Sequence, residues 1–275
     1  MAPNYTLYLG DCLEEMDRIE DGSIDCILAD LPYGTTACKW DIVIPFGPLW
    51  IQYRRVIKKN GAIVLFGSQP FTSLLVVSNL AWFKYEWVWD KVITTNSLNA
   101  KIMPMLQHES ILVFSGGRTV FNRQFSERSK KELRPNRYAN SLKRSPVDND
   151  IYGKHRFGGY AKDNDYRLVS PKSILQYSRG NGWQRVNALH PTQKPVTLLS
   201  YLIKTYTNEN DTILDNTCGS GSVLEAAMRC NRRSIGIEKD AHYFEVASQR
   251  LASVAYELQG KLSHLPLFTP TGTPT

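Results

Sequence analysis

The chain has 275 residues, of which 42% are hydrophobic and 21% are charged. This composition is typical of a soluble globular protein with a sizeable core. The apolar runs are too short to cross a bilayer, and the first residues lack the features of a signal peptide. Five cysteines, an odd number without a CxxC pair, indicate free thiols rather than disulfides or zinc. We therefore predict a cytoplasmic protein without membrane contact or a metal site.

The net charge of +7 is concentrated in one segment of the chain. Residues 118–185 contain 16 Lys and Arg against 6 Asp and Glu, so the rest of the chain has a net charge of −3. Such a segment favours a polyanion such as nucleic acid as the partner. A charge-rich stretch is also often just a solvated surface, so charge by itself leaves both interpretations open.

The first part of the chain alternates short apolar runs with segments of helical periodicity. Residues 24–29 and 62–66 predict buried strands, and residues 49–57 between them have apolar positions at helical spacing. Residues 85–89 and 110–114 predict two further strands. This order of elements indicates an α/β fold with a parallel sheet.

After an irregular basic middle segment, the last third of the chain returns to the same alternation. A helix over residues 195–207 precedes a strand at 212–215 and a turn that enters a helix over 219–230. A strand at 234–238 and an amphipathic helix over 241–258 follow.

The segment Asp215-Asn-Thr-Cys-Gly-Ser-Gly-Ser222 and Glu238 together have the pattern of a nucleoside-binding unit. A strand ends in an acid, a turn with two glycines opens a helix, and a second acid closes the next strand, where it can bind ribose hydroxyls. Leu224 stands where a dinucleotide-binding loop has a third glycine, which disfavours a dehydrogenase. An ordinary strand-to-helix turn remains the alternative for this motif.

A second motif, Asp30-Leu-Pro-Tyr33, follows the strand at residues 24–29 directly. An exocyclic amine on an aromatic base is a poor nucleophile, because its lone pair is delocalised into the ring. The Asp30 carboxylate and the Leu31 carbonyl can accept its two N–H bonds, while Pro32 stiffens the turn. Tyr33 offers a flat face to an extruded base. Four residues on their own would fit a plain turn equally well.

The two motifs in this order resemble those of the permuted, beta-class DNA amino-methyltransferases. In that family a catalytic Asp-Pro-Pro-Tyr motif precedes the S-adenosylmethionine motif. Leu31 departs from the first motif, but its implied contribution is a backbone carbonyl, which any residue has. Asn216, Thr217 and Cys218 replace part of the family's Asp-Pro-Phe-x-Gly-Ser-Gly loop. Residues 10–12, 190–195 and 236–244 match further family segments, and the resemblance covers around 170 residues.

The resemblance implies S-adenosyl-L-methionine as the cofactor and assigns a role to sixteen residues. The catalytic set is Asp30, Leu31, Pro32 and Tyr33. The cofactor-binding set is Asp11, Cys12, Lys194, Asp215, Asn216, Thr217, Cys218, Gly219, Gly221, Ser222, Glu238 and Lys239.

The implied fold is a Rossmann-like methyltransferase fold of the α/β class, with a mixed, mostly parallel sheet and an irregular inserted target-recognition region. Residues 1–115 form its catalytic half, 116–188 the DNA-binding region, 189–258 the cofactor-binding half and 259–275 a flexible tail. The implied partner is double-stranded DNA, and the resemblance leaves a homodimer and a cognate restriction endonuclease open.

The implied reaction is site-specific methylation of adenine N6 in a base flipped out of DNA. Adenine is preferred over cytosine N4, the first alternative, because the family's adenine enzymes usually have Asp at the position of Asp30, whereas its cytosine enzymes usually have Ser. Enzymes that methylate RNA or protein amides usually carry Asn there, and an inactive DNA-binding homologue is the non-enzyme alternative. The loop at residues 94–108 is expected to border the flipped base, although a plain connection fits it equally well.

Overall fold

A computed structural model describes residues 4–36, 38, 41–95, 97–128, 147–149, 153–155, 167–178 and 193–263. The chain forms two compact units, a larger one from Met1–Asn122 and Ser173–Thr275 and a smaller one from Arg123–Lys172. Most of the basic segment, positions 190–192 of the segment before the cofactor motif and the tail from residue 264 lie outside the described residues.

The first half of the larger unit contains five strands and three α-helices among the described residues. They are β1 (Tyr5–Leu9), α1 (Cys12–Glu15), β2 (Ile24–Ala29), α2 (Phe46–Val56), β3 (Ile57–Gly67), α3 (Phe71–Ser78), β4 (Phe83–Thr95) and β5 (Leu106–Phe114). Short 3₁₀ helices lie at Met16–Arg18 and Ser97–Asn99.

The described residues of the smaller unit form four short strands, and the chain then returns to the larger unit. The short strands are β6 (Ser126–Glu127), β7 (Val147–Asn149), β8 (Gly153–His155) and β9 (Leu168–Val169). The larger unit continues with β10 (Ile174–Gln176), α4 (Val196–Tyr206), β11 (Thr212–Asp215), α5 (Ser222–Arg229), β12 (Arg233–Glu238) and α6 (Ala241–Ser263).

One eight-stranded sheet organises the larger unit, in the order β1-β12-β11-β2-β3-β5-β4-β10. Within it β5 is antiparallel to both neighbours, and the other pairs are parallel. The carboxyl ends of β1, β12, β11 and β2 therefore meet at one edge. Ligands of open α/β sheets bind at this edge, so the fold brings Asp11, Asp30, Asp215 and Glu238 to a single place.

Helices cover both faces of the sheet and bury two hydrophobic cores. Successive residues of β2 face opposite cores, with Leu28 on the side of α4, α5 and α6, and Ile27 on the side of α1, α2 and α3. Strands covered on both faces read as continuous apolar runs, which explains the sequence of β2. The predicted α/β fold with a mixed, mostly parallel sheet is confirmed.

The basic middle segment divides between the two units. In the smaller unit β6 pairs with β9 and β7 with β8, both antiparallel. The strand β10, by contrast, belongs to the large sheet, because its residue Ile174 pairs with Val88 of β4. The smaller unit thus spans fewer residues than the predicted DNA-binding region 116–188. The sequence did not predict β10, because a strand of three residues is too short to show a periodicity. No helix in the described part of the chain has the length and apolar character to cross a membrane.

Candidate active site

A cavity of about 460 Å³ opens at the carboxyl edge of the sheet. Thirteen of the sixteen residues that the sequence assigned to the site line it. They are Asp11, Cys12, Asp30, Pro32, Lys194, Asp215, Asn216, Thr217, Cys218, Gly219, Ser222, Glu238 and Lys239. Leu31, Tyr33 and Gly221 lie beside the cavity without lining it.

The glycine turn after β11 wraps around the carboxylate that ends β12. Gly219 and Gly221 have positive φ angles of 51° and 77°, a conformation that glycine adopts without strain. The N–H of Gly219 donates to Oε2 of Glu238 over 2.8 Å, and the N–H of Asp240 donates to Oε1 over 2.8 Å. Glu238 is therefore fixed in place by backbone donors before any ligand binds.

Two acids line the cavity, the buried Asp215 and the half-buried Glu238. Burial raises the pKa of Glu238, although the hydrogen bonds from Asp240 and Gly219 oppose that shift. Burial raises the pKa of Asp215 well above its ordinary value, the N–H of Thr217 opposes the rise, and the charges of Asp30 and Glu238 add to it. The oxygen atoms of the two carboxyl groups suit a ligand that brings hydroxyl donors.

The turn after β1 also lines the cavity, next to the end of β12. Asp11 caps α1 by accepting from the N–H of Leu13 over 3.0 Å, and its second oxygen lies 3.0 Å from Nζ of Lys239. Burial raises the pKa of the thiols of Cys12 and Cys218. Both are therefore neutral thiols at physiological pH, and they pack as small apolar groups.

Asp30 directly follows β2 and is held by one ion pair and two hydrogen bonds. Its Oδ2 lies 2.5 Å from Nζ of Lys194, and its Oδ1 accepts from the hydroxyl of Tyr33 over 2.7 Å. The backbone carbonyl of Asp30 accepts from Oγ1 of Thr217 over 3.2 Å, which ties the two sequence motifs together. These contacts hold the Asp30 carboxylate in one orientation at the wall of the cavity.

Leu31 and Tyr33, next to Asp30 in the same motif, pack against the protein. The Leu31 side chain is buried in the core on the α1–α3 face. The ring of Tyr33 stacks on Phe71 with centroids 5.0 Å apart and an interplanar angle of 28°. The stacking of an extruded base on Tyr33 stays a prediction.

A chain of alternating buried charges extends from Asp30 into the sheet. Nζ of Lys194 lies 3.3 Å from Oε2 of Glu109, and Oε1 of Glu109 lies 3.3 Å from Nζ of Lys91. The Lys194 ammonium also lies 5.0 Å from the centroid of the Phe66 ring. Each buried charge is thus next to an opposite one, which is the condition for keeping ions out of water.

The loop after Tyr33 is organised by a carboxylate that the sequence did not assign. Asp41 accepts from the backbone N–H groups of Gly34, Thr35 and Thr36 over 2.8, 2.9 and 2.7 Å. Burial alone would raise the pKa of Asp41, but the hydrogen bonds from Thr36, Gly34 and Thr35 hold it below its ordinary value. These hydrogen bonds fix the backbone of residues 34–36, directly after the Asp30–Tyr33 motif.

Several further residues line the cavity without a sequence assignment. Gln193 and Ser220 both line it and contact each other, with the hydroxyl of Ser220 donating to Oε1 of Gln193 over 3.5 Å. Ile42, Val43 and Phe66 supply an apolar wall. The positions of the two polar residues could have been inferred from their sequence neighbours, because Gln193 directly precedes Lys194 and Ser220 lies between Gly219 and Gly221. Apolar wall residues have no such signal.

A family model described as DNA methylase, and named for N6 and N4 methyltransferases, matches residues 24–249. The match covers most of the chain and both motifs, so the chain belongs to the DNA methylase family. The predicted family and enzyme class are therefore confirmed.

Individual relatives and solved structures show the same likeness. The type II methyltransferase M.HpaI of Haemophilus parainfluenzae is 25% identical over 90% of this chain and 74% of its own length. The DNA adenine methyltransferase YhdJ of Escherichia coli K12 is 28% identical over 90% of this chain and 82% of its own. The solved M1.HpyAVI–SAM complex superimposes with a TM-score of 0.58 and 24% identity, covering 90% of this chain and 98% of that one, and shows the shared fold.

Proposed function

We propose that the protein transfers a methyl group from S-adenosylmethionine to N6 of an adenine extruded from double-stranded DNA at a specific site. The observation that carries this proposal is the Asp30 carboxylate, held by Lys194 and Tyr33 at the wall of the cavity that also contains Glu238. One cavity thereby contains both a hydrogen-bond acceptor for the amine of a base and an acid that can bind a nucleoside. The relatives named as type II and adenine methyltransferases support the same chemistry.

The cavity fits the cofactor in the chemistry of its donors and acceptors. Glu238 ends β12 where it can accept from ribose hydroxyls, and Gly219 and Ser222 open α5 beside it. Nδ2 of the buried Asn216 has no hydrogen-bond partner among the described residues, and this side chain lines the cavity. It is a donor available to a bound nucleoside or carboxylate. When bound, S-adenosylmethionine supplies an activated methyl group on a sulfonium.

The residues around Asp30 act on the acceptor base. The exocyclic nitrogen gains the methyl group and loses a proton, so an acceptor on its N–H bond favours the transition state. Asp30 supplies that acceptor, and the backbone carbonyl of Leu31 is the second candidate. Lys194 and Tyr33 hold the carboxylate in one orientation, so that acceleration arises mainly from positioning.

The DNA duplex is assigned to the basic middle segment, residues 116–188. Arg123, Arg128, Arg167 and Lys172 are among its cations in the described residues of the smaller unit. Lys and Arg bind phosphates, while Asn and Arg can read base edges. A homodimer, a cognate restriction endonuclease and a cytoplasmic location complete the proposal on the strength of the resemblance.

The direct experiment is methyl transfer from labelled S-adenosylmethionine to unmethylated genomic DNA, with the product nucleosides separated and the modified sites sequenced. The proposal predicts N6-methyladenine within one short motif. N4-methylcytosine would keep the mechanism and overturn the base. Transfer to RNA or protein instead of DNA would overturn the assignment of the basic segment.

The role of the basic segment has its own test in the salt dependence of DNA binding. Neutralising several of its Arg and Lys residues should weaken binding and flatten the slope of log K against log salt, by about 0.9 for each phosphate that the variant no longer neutralises. An unchanged slope would contradict the assignment.

A further inference from the structure

The turn that connects β4 to β5 exposes an unusual amount of apolar surface. Residues 92–106, called the β4–β5 tip below, contain seven large apolar side chains that are exposed to solvent. Leu98 is 98% exposed and Ile102 is 83% exposed. Single exposed apolar residues are normal on a surface, whereas a cluster of them marks an interaction site.

The tip projects from the same edge of the sheet as the catalytic motif. Since β5 is antiparallel to both β3 and β4, the carboxyl end of β4 lies at the edge where β2 ends before Asp30. The base of the tip is joined to that residue by side chains. Glu109 of β5 and Lys91 of β4 form the buried ion pair that continues through Lys194 to Asp30.

Hydrogen bonds hold the base of the tip in a defined conformation. Oδ1 of Asp90 accepts from the N–H of Val92 over 2.8 Å and from Nε2 of Gln107 over 2.9 Å, and Oδ2 accepts from Gln176 over 3.0 Å. Val92 has a φ of 65°, which is uncommon for a β-branched residue and turns the chain sharply. A fixed base presents the exposed tip in one direction.

The charge of the tip fits a polyanion better than a protein surface rich in cations. Lys101 is the one charged residue between positions 92 and 106, and the stretch contains no acid. Apolar side chains that enter DNA between base steps are a known means of unstacking a duplex. An extruded base also leaves a gap in the stack that an apolar side chain can occupy.

We propose that the β4–β5 tip inserts Leu98 and Ile102 into the DNA duplex beside the target base and stabilises the extruded state. The inference rests on the proposed function, since it concerns the same substrate and the same edge of the sheet. It gives the loop at residues 94–108, for which the sequence left a DNA contact and a plain connection equally open, a specific role in base extrusion. The tip acts before methyl transfer, on the equilibrium between the stacked and the extruded base.

The test compares the Leu98→Ser/Ile102→Ser variant with wild type on two oligonucleotide duplexes containing the mapped methylation site. In one duplex the target adenine pairs with thymine, and in the other it faces an abasic site, which lowers the cost of extrusion. We expect kcat to fall about tenfold or more on the paired duplex and to stay within about twofold on the abasic one, because a base without a pairing partner is easier to extrude. Affinity for S-adenosylmethionine should be unchanged.

Leu80→Ser is the matched control, because Leu80 is also exposed and apolar but precedes β4 at the opposite edge of the sheet. It should behave as wild type on both duplexes. Equal loss of kcat on both duplexes, or no loss on either, would overturn the inference. A change from dimer to monomer in light scattering together with equal loss would assign the tip to a subunit contact instead. If wild type modified no adenine in either duplex, the proposed function itself would fail.

Discussion

Nζ of Lys194 lies 2.5 Å from Oδ2 of Asp30, although the two residues are 164 positions apart in the sequence. The contact joins the segment before the cofactor motif to the catalytic motif. The ammonium group of Lys194 thus holds the Asp30 carboxylate in place as a hydrogen-bond acceptor and balances its negative charge. The resemblance predicts that Lys194 binds the cofactor, and the structure places its ammonium on Asp30 while it also lines the cavity.

Replacing Lys194 by Met tests which of these two roles dominates. We expect kcat to fall about 100-fold, the range for removing one oriented group that stabilises a transition state. The dissociation constant of S-adenosylmethionine should stay within a few-fold, as measured by calorimetry. A large drop in cofactor affinity with normal kcat at saturation would show that Lys194 serves the cofactor instead.

The Lys91–Glu109 pair is predicted to keep Lys194 in place. In Glu109→Gln the ammonium groups of Lys91 and Lys194 no longer have a carboxylate between them, and breaking a buried pair costs about 3–5 kcal/mol. We therefore expect a lower unfolding temperature and a lower kcat. Kinetics of the purified variant and its thermal unfolding curve measure both.

The double variant Lys91→Met/Glu109→Gln serves as the control for that prediction. It removes one positive and one negative charge together, so it should be less damaging to kcat than Glu109→Gln by itself. Additive effects of the two single variants would mean that the pair is not coupled through Lys194.

The sequence predicted the parts of the site that consist of local motifs. Asp30 to Tyr33 and Asp215 to Ser222 each combine a strand end with a turn, so their geometry is written in neighbouring residues. Glu109 and Lys91 could not be predicted in this way. Each lies on a different strand, and they meet because β5 pairs antiparallel with β4, which no local pattern shows.

The fold was predictable for a similar reason. Continuous apolar runs such as β2 predict buried parallel strands, but they carry no information on strand order or on the reversed direction of β5. Asp41 shows the same limit on the scale of a loop. Its three N–H partners lie five to seven residues before it, and no short motif predicts such an irregular turn.

Asp41→Asn should weaken the anchoring of the loop after Tyr33 and lower both stability and kcat. The pKa of Asp41 is held below its ordinary value, so its carboxylate stabilises the folded state above the ordinary carboxyl range, and that contribution is lost as pH falls through the lowered pKa. The difference in unfolding free energy between wild type and variant should therefore shrink on acidification. Denaturant titrations from about pH 7 to about pH 3 measure it, and a constant difference would contradict the assignment.

Asp215→Asn should have the opposite effect on stability. The raised pKa of Asp215 means that the folded state binds a proton more tightly than the unfolded state, so stability falls as pH rises from the ordinary carboxyl range to the raised pKa. The variant should unfold at a higher temperature than wild type at neutral pH and show a flatter pH dependence. It should also bind S-adenosylmethionine more weakly. A destabilised variant would show that the charge of Asp215 is compensated in the folded protein.

The measurement that tests the central claim most directly is single-turnover methyl transfer by Asp30→Ala, made beside a titration of S-adenosylmethionine. The account predicts that transfer to adenine is abolished while cofactor affinity stays within a few-fold of wild type, because Asp30 contacts the acceptor amine and Glu238 and the glycine turn hold the cofactor. Near-normal transfer by Asp30→Ala would contradict it.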